Sequence, residues 1–320
     1  MGDVFYLIKS GILSKESNSL ILKNETEKIE IPIETVDSLM IFGNVTFTTP
    51  AIKLLSEFKI PTILFTENGW YISSLMPENY LQSGIVLERQ VSFRNDPEKR
   101  QKIAKKFVYG AAKNMRKVIQ RLGIKQTLQI PIKEIDYSTT IAELMGIEGN
   151  IHIKYIQLLD TKLPELFKIN NRSRQPPLNF TNSLMSYLYT VLYGVISAEI
   201  FSTHLSQSIS YLHELSERRS SLSLDVAEIF RPIFCDRVIL KLINLKIITS
   251  KDFVDNNGIF LNNEGKRKVL NEFDSKMRET IFVRSLGRYV SNRHLIRLEL
   301  YKLEKYILGG EEYNPYIVRI

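Results

Sequence analysis

Short apolar runs separated by turn residues dominate the first quarter of the chain. VFYLI, SLILKN, KIEIPI, SLMIFG, TILFT and WYISSL are rich in β-branched and aromatic residues and are broken by Asn, Gly, Pro and Glu, the pattern of strands joined by short connections. ETEKIEI alternates polar and apolar positions, as a strand with one wet face does. One helix interrupts the strands. Thr49-Pro50 opens a run with Ala51, Ile52, Leu54, Leu55 and Phe58 at helical spacing, and Pro61 closes it. Residues 1–84 are therefore expected to form a small strand-rich domain with one helix. PENYLQSGIVLERQ reads as a connector, which places a linker at 85–96.

Beyond it the period changes. Asp96-Pro97 has the form of an N-cap followed by proline at the first helical position. The next 25 residues put Ile103, Phe107, Ala111, Met115 and Val118 on one stripe, with nine Lys and Arg mostly outside it and only Glu98 opposing them. A solvated face and a phosphate-binding face fit this helix about equally. Further helices are expected at roughly 138–160, 178–204, 224–247, 264–280 and 284–308. The predicted fold class is α+β: a strand-rich N-terminal domain, then a larger all-helical domain over 97–320. MSYLYTVLYGVISAEIF is the most apolar stretch, yet it contains Ser, Thr and Gly and runs into Glu199. It is too short and too polar for a membrane span.

Charge locates the surface where a polyanion would sit. The 320 residues carry 43 Lys and Arg against 35 Asp and Glu, a net charge of +8. Residues 1–90 hold 7 basic and 11 acidic side chains, so the excess of positive charge falls in the later, helical part. Cys235 is the only cysteine, which excludes an internal disulfide and a multi-cysteine zinc module. A reducing compartment, the cytoplasm, is the expectation, and Asp3, Lys9 and Lys15 interrupt any early apolar leader.

Four histidines are present, and His152, His204 and His294 lie in settings that suit structural roles. His213 ends an apolar run in SISYLHELSERRSS, just before a charged loop, where a side chain can be anchored yet accessible. Glu148 lies in MGIEGN between Gly146 and Gly149, which would let backbone or substrate approach its carboxylate; an exposed Glu in a loosened helix is the plain alternative. In LDVAEIFRPIFCDR, Asp225 and Glu228 are three apart and share a helical face. Carboxylates so close repel unless a cation lies near them. The plain alternative is a capping acid and a Glu paired with Arg231, itself able to hold Asp225 or Asp236. Pro232 removes the backbone hydrogen bond to the Glu228 carbonyl, so a kink is expected there. Arg172 and Arg174 precede Pro176-Pro177 in a loop that is otherwise an ordinary helix connection. Together, one His and two or three carboxylates in a basic helical region match a hard-cation site for phosphodiester chemistry, with Mg²⁺ or Mn²⁺ as cofactor.

These segments carry a resemblance. SLMIFGNVTFTTPAIKLLSEFKIPTILFTENGWYISSL, ELMGIEGN, NNRSRQPPLNFTNSLMSYLYTVLYG and SYLHE followed by SLSLDVAEIFRPIFCDR are similar, in that order and over nearly the whole chain, to motifs of the CRISPR-associated integrase family. That family supplies the larger, metal-dependent subunit of the spacer-acquisition complex. The resemblance implies Glu148, His213 and Glu228 as metal ligands, with Asp225 a supporting acid. Arg172, Arg174, Arg218, Arg219 and Arg231 are candidates to hold DNA phosphates. Where the family often has Asp after the paired prolines, this chain has Leu178-Asn179. The resemblance further implies a homodimer formed largely through the N-terminal part. Two such dimers would bracket a dimer of a small ferredoxin-like CRISPR-associated partner, giving a heterohexamer. The implied reaction is attack of a prespacer 3′-hydroxyl on phosphodiesters of double-stranded DNA at the CRISPR repeat. A structure-specific, metal-dependent repair nuclease is the alternative, and a non-catalytic basic scaffold a further one.

Overall fold

The computed structural model describes residues 2–78, 81–215 and 220–319. Eight strands open the chain: β1 (Asp3–Leu7), β2 (Gly11–Glu16), β3 (Ser19–Lys23), β4 (Lys28–Pro32), β5 (Val36–Ile41), β6 (Val45–Phe47), β7 (Thr62–Phe65) and β8 (Tyr71–Leu75), with helix α1 (Thr49–Glu57) between β6 and β7. They form two four-stranded sheets, ordered β1-β5-β7-β8 and β4-β3-β2-β6. β2 and β6 escape a search for apolar runs because β2 is half polar and β6 has three residues.

The central strands of the first sheet, β5 and β7, are buried on both faces. Leu39 and Ile41 join Leu13, Leu20, Leu54 and Leu55 in a core against the second sheet and α1. Met40, Phe42, Ile63 and Phe65 join the core of the helical region instead. Alternation along a strand sends neighbouring residues to opposite faces, which is why SLMIFG reads as an unbroken apolar run. Gly194 lets the two regions close up: a Cβ there would stand 2.8 Å from the Phe65 ring. Ions join the regions as well. Arg293 donates to Glu199 Oε1 (2.6 Å), to Asp37 Oδ2 (2.5 Å) and to the carbonyl of Gly2 (3.1 Å), while Arg297 donates to Glu199 Oε2 (2.6 Å).

The helices are α2 (Gly84–Asn95), α3 (Pro97–Arg121), α4 (Ile132–Tyr137), α5 (Ile141–Asp160), α6 (Phe180–Phe201), α7 (Ser221–Phe230), α8 (Arg237–Asn244), α9 (Asn263–Arg278) and α10 (Asn292–Ile307). Four expectations are corrected. The linker placed at 85–96 is helix α2, capped by Ser83. The later region is mainly helical, with two hairpins: β9 (Phe253–Asp255) with β10 (Ile259–Leu261), and β11 (Thr280–Val283) with β12 (Arg288–Ser291). The helix expected from 284 therefore starts at Asn292, where Ser291 Oγ accepts from the His294 N–H. Between α7 and α8, Pro232 produces a π-helical turn over Arg231–Asp236 in place of a simple kink.

Other expectations match the structure. Asp96 caps α3 by accepting from the N–H groups of Glu98 and Lys99. The α3 stripe is buried. Its basic face is largely engaged within the chain, with Lys102 and Lys106 on Glu312, Arg100 on Glu214 and Lys105 on the carbonyl of Asp136. By contrast, α6 departs from the expectation of a stretch too short and too polar for a span, since it has the length and apolarity of one, but it is a mostly buried core helix and buries Glu199 against two arginines. The C-terminal tail packs on the chain itself, through Tyr313 to Glu299 (2.6 Å) and Val318 to Asn114 (2.8 Å).

Candidate active site

The residues singled out from the sequence come from α5, the 205–215 loop, α7 and the π-helical turn. Asp225 on α7 is fully buried. Its Oδ2 accepts from the N–H groups of Tyr211 (2.6 Å) and Leu212 (3.0 Å), and its Oδ1 from the His213 N–H (2.9 Å). The same Oδ1 is 2.7 Å from His213 Nδ1. Four contacts occupy the carboxylate, so Asp225 is a positioning residue. Because its oxygens can only accept, the Nδ1 proton points to Asp225 and the other ring nitrogen, Nε2, is left outward. Nε2 lies 4.0 Å from Glu228 Oε1.

The loop is clamped from its other side by residues that the sequence reading passed over. Arg94 on α2 donates to the carbonyls of Tyr211 and His213 (3.3 Å each) and to Glu214 (2.6 Å). Arg100 on α3 donates to the Tyr211 carbonyl (3.0 Å) and to Glu214 (2.6 Å). Gln90 exchanges two hydrogen bonds with the backbone of Ser206. The carbonyls and N–H groups around His213 thus have fixed partners, and the imidazole inherits that rigidity.

Glu228 is 4% exposed, and both its oxygens accept from Arg231 Nη1, at 2.6 and 2.7 Å. Arg231 also donates to the Tyr193 hydroxyl and lies over the rings of Tyr189 (5.0 Å) and Tyr193 (5.2 Å). These tyrosines are four apart on α6, and that spacing was the available signal for them. Behind them Asp236 accepts from Tyr155 (2.9 Å) and Tyr189 (2.7 Å), and burial pushes its carboxyl up to about 6. The fork on Arg231 thus goes to Glu228, not to Asp225 or Asp236.

Glu148 lies on the half-buried face of α5, in a stripe with Leu144, Ile151, His152 and Tyr155. Burial and the charge of Glu228 push its carboxyl up to about 7, against the opposing pull of Arg231, His213 and Arg174. His152, one turn on, is held neutral by burial and by Arg231, Arg172 and Arg174, down to about 3. For His213, burial disfavours the charged ring, but the hydrogen bond and charge of Asp225 together with Glu228 outweigh it and raise its proton affinity.

The arginines divide. Arg172 is held by Ser173, Asn182 and Ser186 and lies over Tyr189. Arg174 is exposed and has no carboxylate partner among the described residues. Arg218 and Arg219 lie outside the described residues. Among the described residues no three His, Cys, Asp or Glu side chains are gathered at metal-ligand spacing. Glu148, His213 and Glu228 are instead neighbours linked by electrostatic coupling, with Arg231 as the cation on Glu228.

The geometry defines a carboxylate-rich site with one oriented imidazole, set in the helical part of a two-sheet, multi-helix protein. A family model described as CRISPR associated protein Cas1 matches residues 5–275. CRISPR-associated protein Cas1 1 of Methanobrevibacter ruminantium is 41% identical over 98% of each chain. CRISPR-associated endonuclease Cas1 of Methanothermobacter thermautotrophicus is 40% identical over 98% of this chain and 94% of its own. The solved structure of a Cas1 protein from Thermotoga maritima superposes with a TM-score of 0.91 at 34% identity, covering 98% of this chain and all of that one. The chain belongs to the Cas1 family of CRISPR-associated proteins.

Proposed function

We propose that this chain is a metal-dependent DNA endonuclease and integrase, inserting prespacer DNA into a CRISPR repeat by attack of a 3′-hydroxyl on a phosphodiester. The observation that carries the reading is the Asp225-held imidazole of His213, its free nitrogen turned toward Glu228. The donor set fits a divalent cation. Glu148, half-buried, and Glu228, buried, are two repelling carboxylates with Arg231 as the cation on Glu228, and a set of two oxygens and one nitrogen suits Mn²⁺ or Mg²⁺. Glu148, His213 and Glu228 would hold it, and when bound it supplies a Lewis acid for the scissile phosphate.

The chain's own residues do the rest. Asp225 fixes the His213 tautomer, and the Arg94 and Arg100 clamp keeps the loop from drifting. Arg231, lying over the Tyr189 and Tyr193 rings, balances Glu228. Exposed Arg174, whose charge reaches Glu148, offers a planar fork to a strand phosphate and helps hold it in line for the incoming hydroxyl. In this reading the working assembly is a homodimer that joins a small ferredoxin-like partner into a heterohexamer on double-stranded DNA in the cytoplasm. The test is transfer of a labelled 3′-hydroxyl duplex into a supercoiled plasmid carrying a leader and repeat. Wild type is compared with His213→Ala, with and without Mn²⁺ and the partner. Joined product from wild type alone, and only with metal, supports the reading; cleavage without joining favours a repair nuclease.

A further inference from the structure

The hairpin of β11 and β12 carries aromatic side chains on the face where polar ones are expected. Its register pairs Thr280 with Ser291, Ile281 with Val290, Phe282 with Tyr289 and Val283 with Arg288. Alternation turns Ile281, Val283 and Val290 inward, and Val290 is buried. The base is pinned: the Asn292 N–H donates to the Glu279 carbonyl, and Asn292 Nδ2 to the Lys276 carbonyl, each at 2.8 Å. Outward lie Phe282, 50% exposed, and Tyr289, 69% exposed, their rings edge to face at 5.3 Å. Leu286 at the turn is also exposed, and none of the three joins either hydrophobic core. An antiparallel pair with one wet face ordinarily puts polar residues there.

The charge around the rings selects the occupant. Arg284 in the turn and Arg288 at the start of β12, the latter paired with Val283 on the other face from the rings, are both exposed and both without a carboxylate partner among the described residues. The sequence has no Asp or Glu between Glu279 and Glu299. Exposed aromatic rings with free guanidinium groups at the turn end of the same hairpin suit a polyanion with π faces of its own. In a duplex those faces are already stacked, so the hairpin is complementary to unpaired nucleotides.

We propose that the β11–β12 hairpin is a DNA-binding element that stacks Tyr289 and Phe282 on unpaired bases while Arg284 and Arg288 hold the adjoining phosphates. The proposal rests on the reading of the chain as a DNA enzyme. Its test measures binding of a labelled single-stranded oligonucleotide, and of a blunt duplex of the same sequence, by fluorescence anisotropy over a series of salt concentrations. Tyr289→Ala weakens single-strand binding about 5- to 150-fold, the range for loss of one stacked base, and leaves the salt slope unchanged; Tyr289→Phe restores binding. The double variant Arg284→Ala/Arg288→Ala lowers the slope of log K against log salt by about 1.4, from two lost phosphate contacts. Both sets of side chains are exposed, and an unchanged thermal transition checks that the fold is kept. Wild-type binding that all these variants retain overturns the hairpin proposal alone. A Tyr289→Ala protein that binds DNA normally but sediments as a smaller species also overturns it, because a second copy would then be what covers the rings. Wild type that binds neither oligonucleotide overturns the underlying DNA reading.

Discussion

Replacing Glu148 by Gln should make the protein more stable and inactive at the same time. The Glu148 carboxyl, ordinarily near 4.5, is pushed up to about 7 by burial and by Glu228. Below about pH 4.5 it is protonated in the folded and unfolded chains alike, so ionisation costs nothing. Between 4.5 and 7 the unfolded chain releases the proton while the folded chain keeps it, and stability falls as pH rises. Above 7 the whole cost is present. At about 1.36 kcal/mol per pH unit the full difference is about 3 kcal/mol. Partial exposure to water reduces that to about 1.5 kcal/mol. Gln keeps the shape without the charge, so Glu148→Gln should gain about 1.5 kcal/mol over wild type at pH 8.5 and much less at pH 5. Urea unfolding in EDTA at both pH values measures it. A variant less stable than wild type at pH 8.5, or an advantage that does not change with pH, refutes the reasoning. Metal-dependent cleavage should be lost at every pH, the trade of stability for function expected when like charges are held together.

Asp225→Asn should cost about 2–4 kcal/mol in urea unfolding, because the amide places donors against the backbone N–H groups of Tyr211, Leu212 and His213. It should also weaken Mn²⁺ binding, measured by calorimetry, about 10- to 100-fold by releasing the imidazole; unaltered affinity would show that His213 is not a ligand. Because the His213 proton affinity is raised above the ordinary 6.5, Mn²⁺ affinity should begin to fall above pH 6.5 as the solution is acidified, and a flat profile from pH 8 to 5.5 would contradict that. Arg293→Met leaves Glu199 with Arg297 as its remaining arginine partner and Asp37 without its arginine. It should cost about 3–5 kcal/mol, and a thermal midpoint within a degree or so of wild type would show that these ions do not join the sheets to the helices.

How much of this was legible depended on whether the sequence signal coincided with burial. The α3 stripe and the Asp96 cap were readable because their apolar and capping positions do what the pattern says. The residue types of the site were readable too, and so was the shared face of Asp225 and Glu228. The resemblance implied a supporting role for Asp225, but not how it is played. That depends on which backbone N–H groups meet Asp225, and those come from a loop 12 to 14 residues away. The hairpins escaped because strands of three or four residues leave no periodicity to count, and Phe282 and Tyr289 look like core residues until their face is known.

Helix α2 shows why the loop around His213 could not be inferred. Periodicity assigns the apolar residues of a helix to its buried face, yet Ile85, Leu87 and Val91 of α2 are exposed while Gln90 and Arg94 are buried in one stripe with Val86. The inversion follows from what α2 packs against. Loop residues Ser206, Tyr211 and His213 present carbonyls that no sheet or helix satisfies, and each buried carbonyl needs a donor. Gln90 and Arg94, one turn apart, supply those donors, and Glu214 balances the arginine charge. A polar stripe facing inward is thus the signature of a helix that carries a loop, and the segment that looked least structured in the sequence is the one that holds the His213 backbone in place.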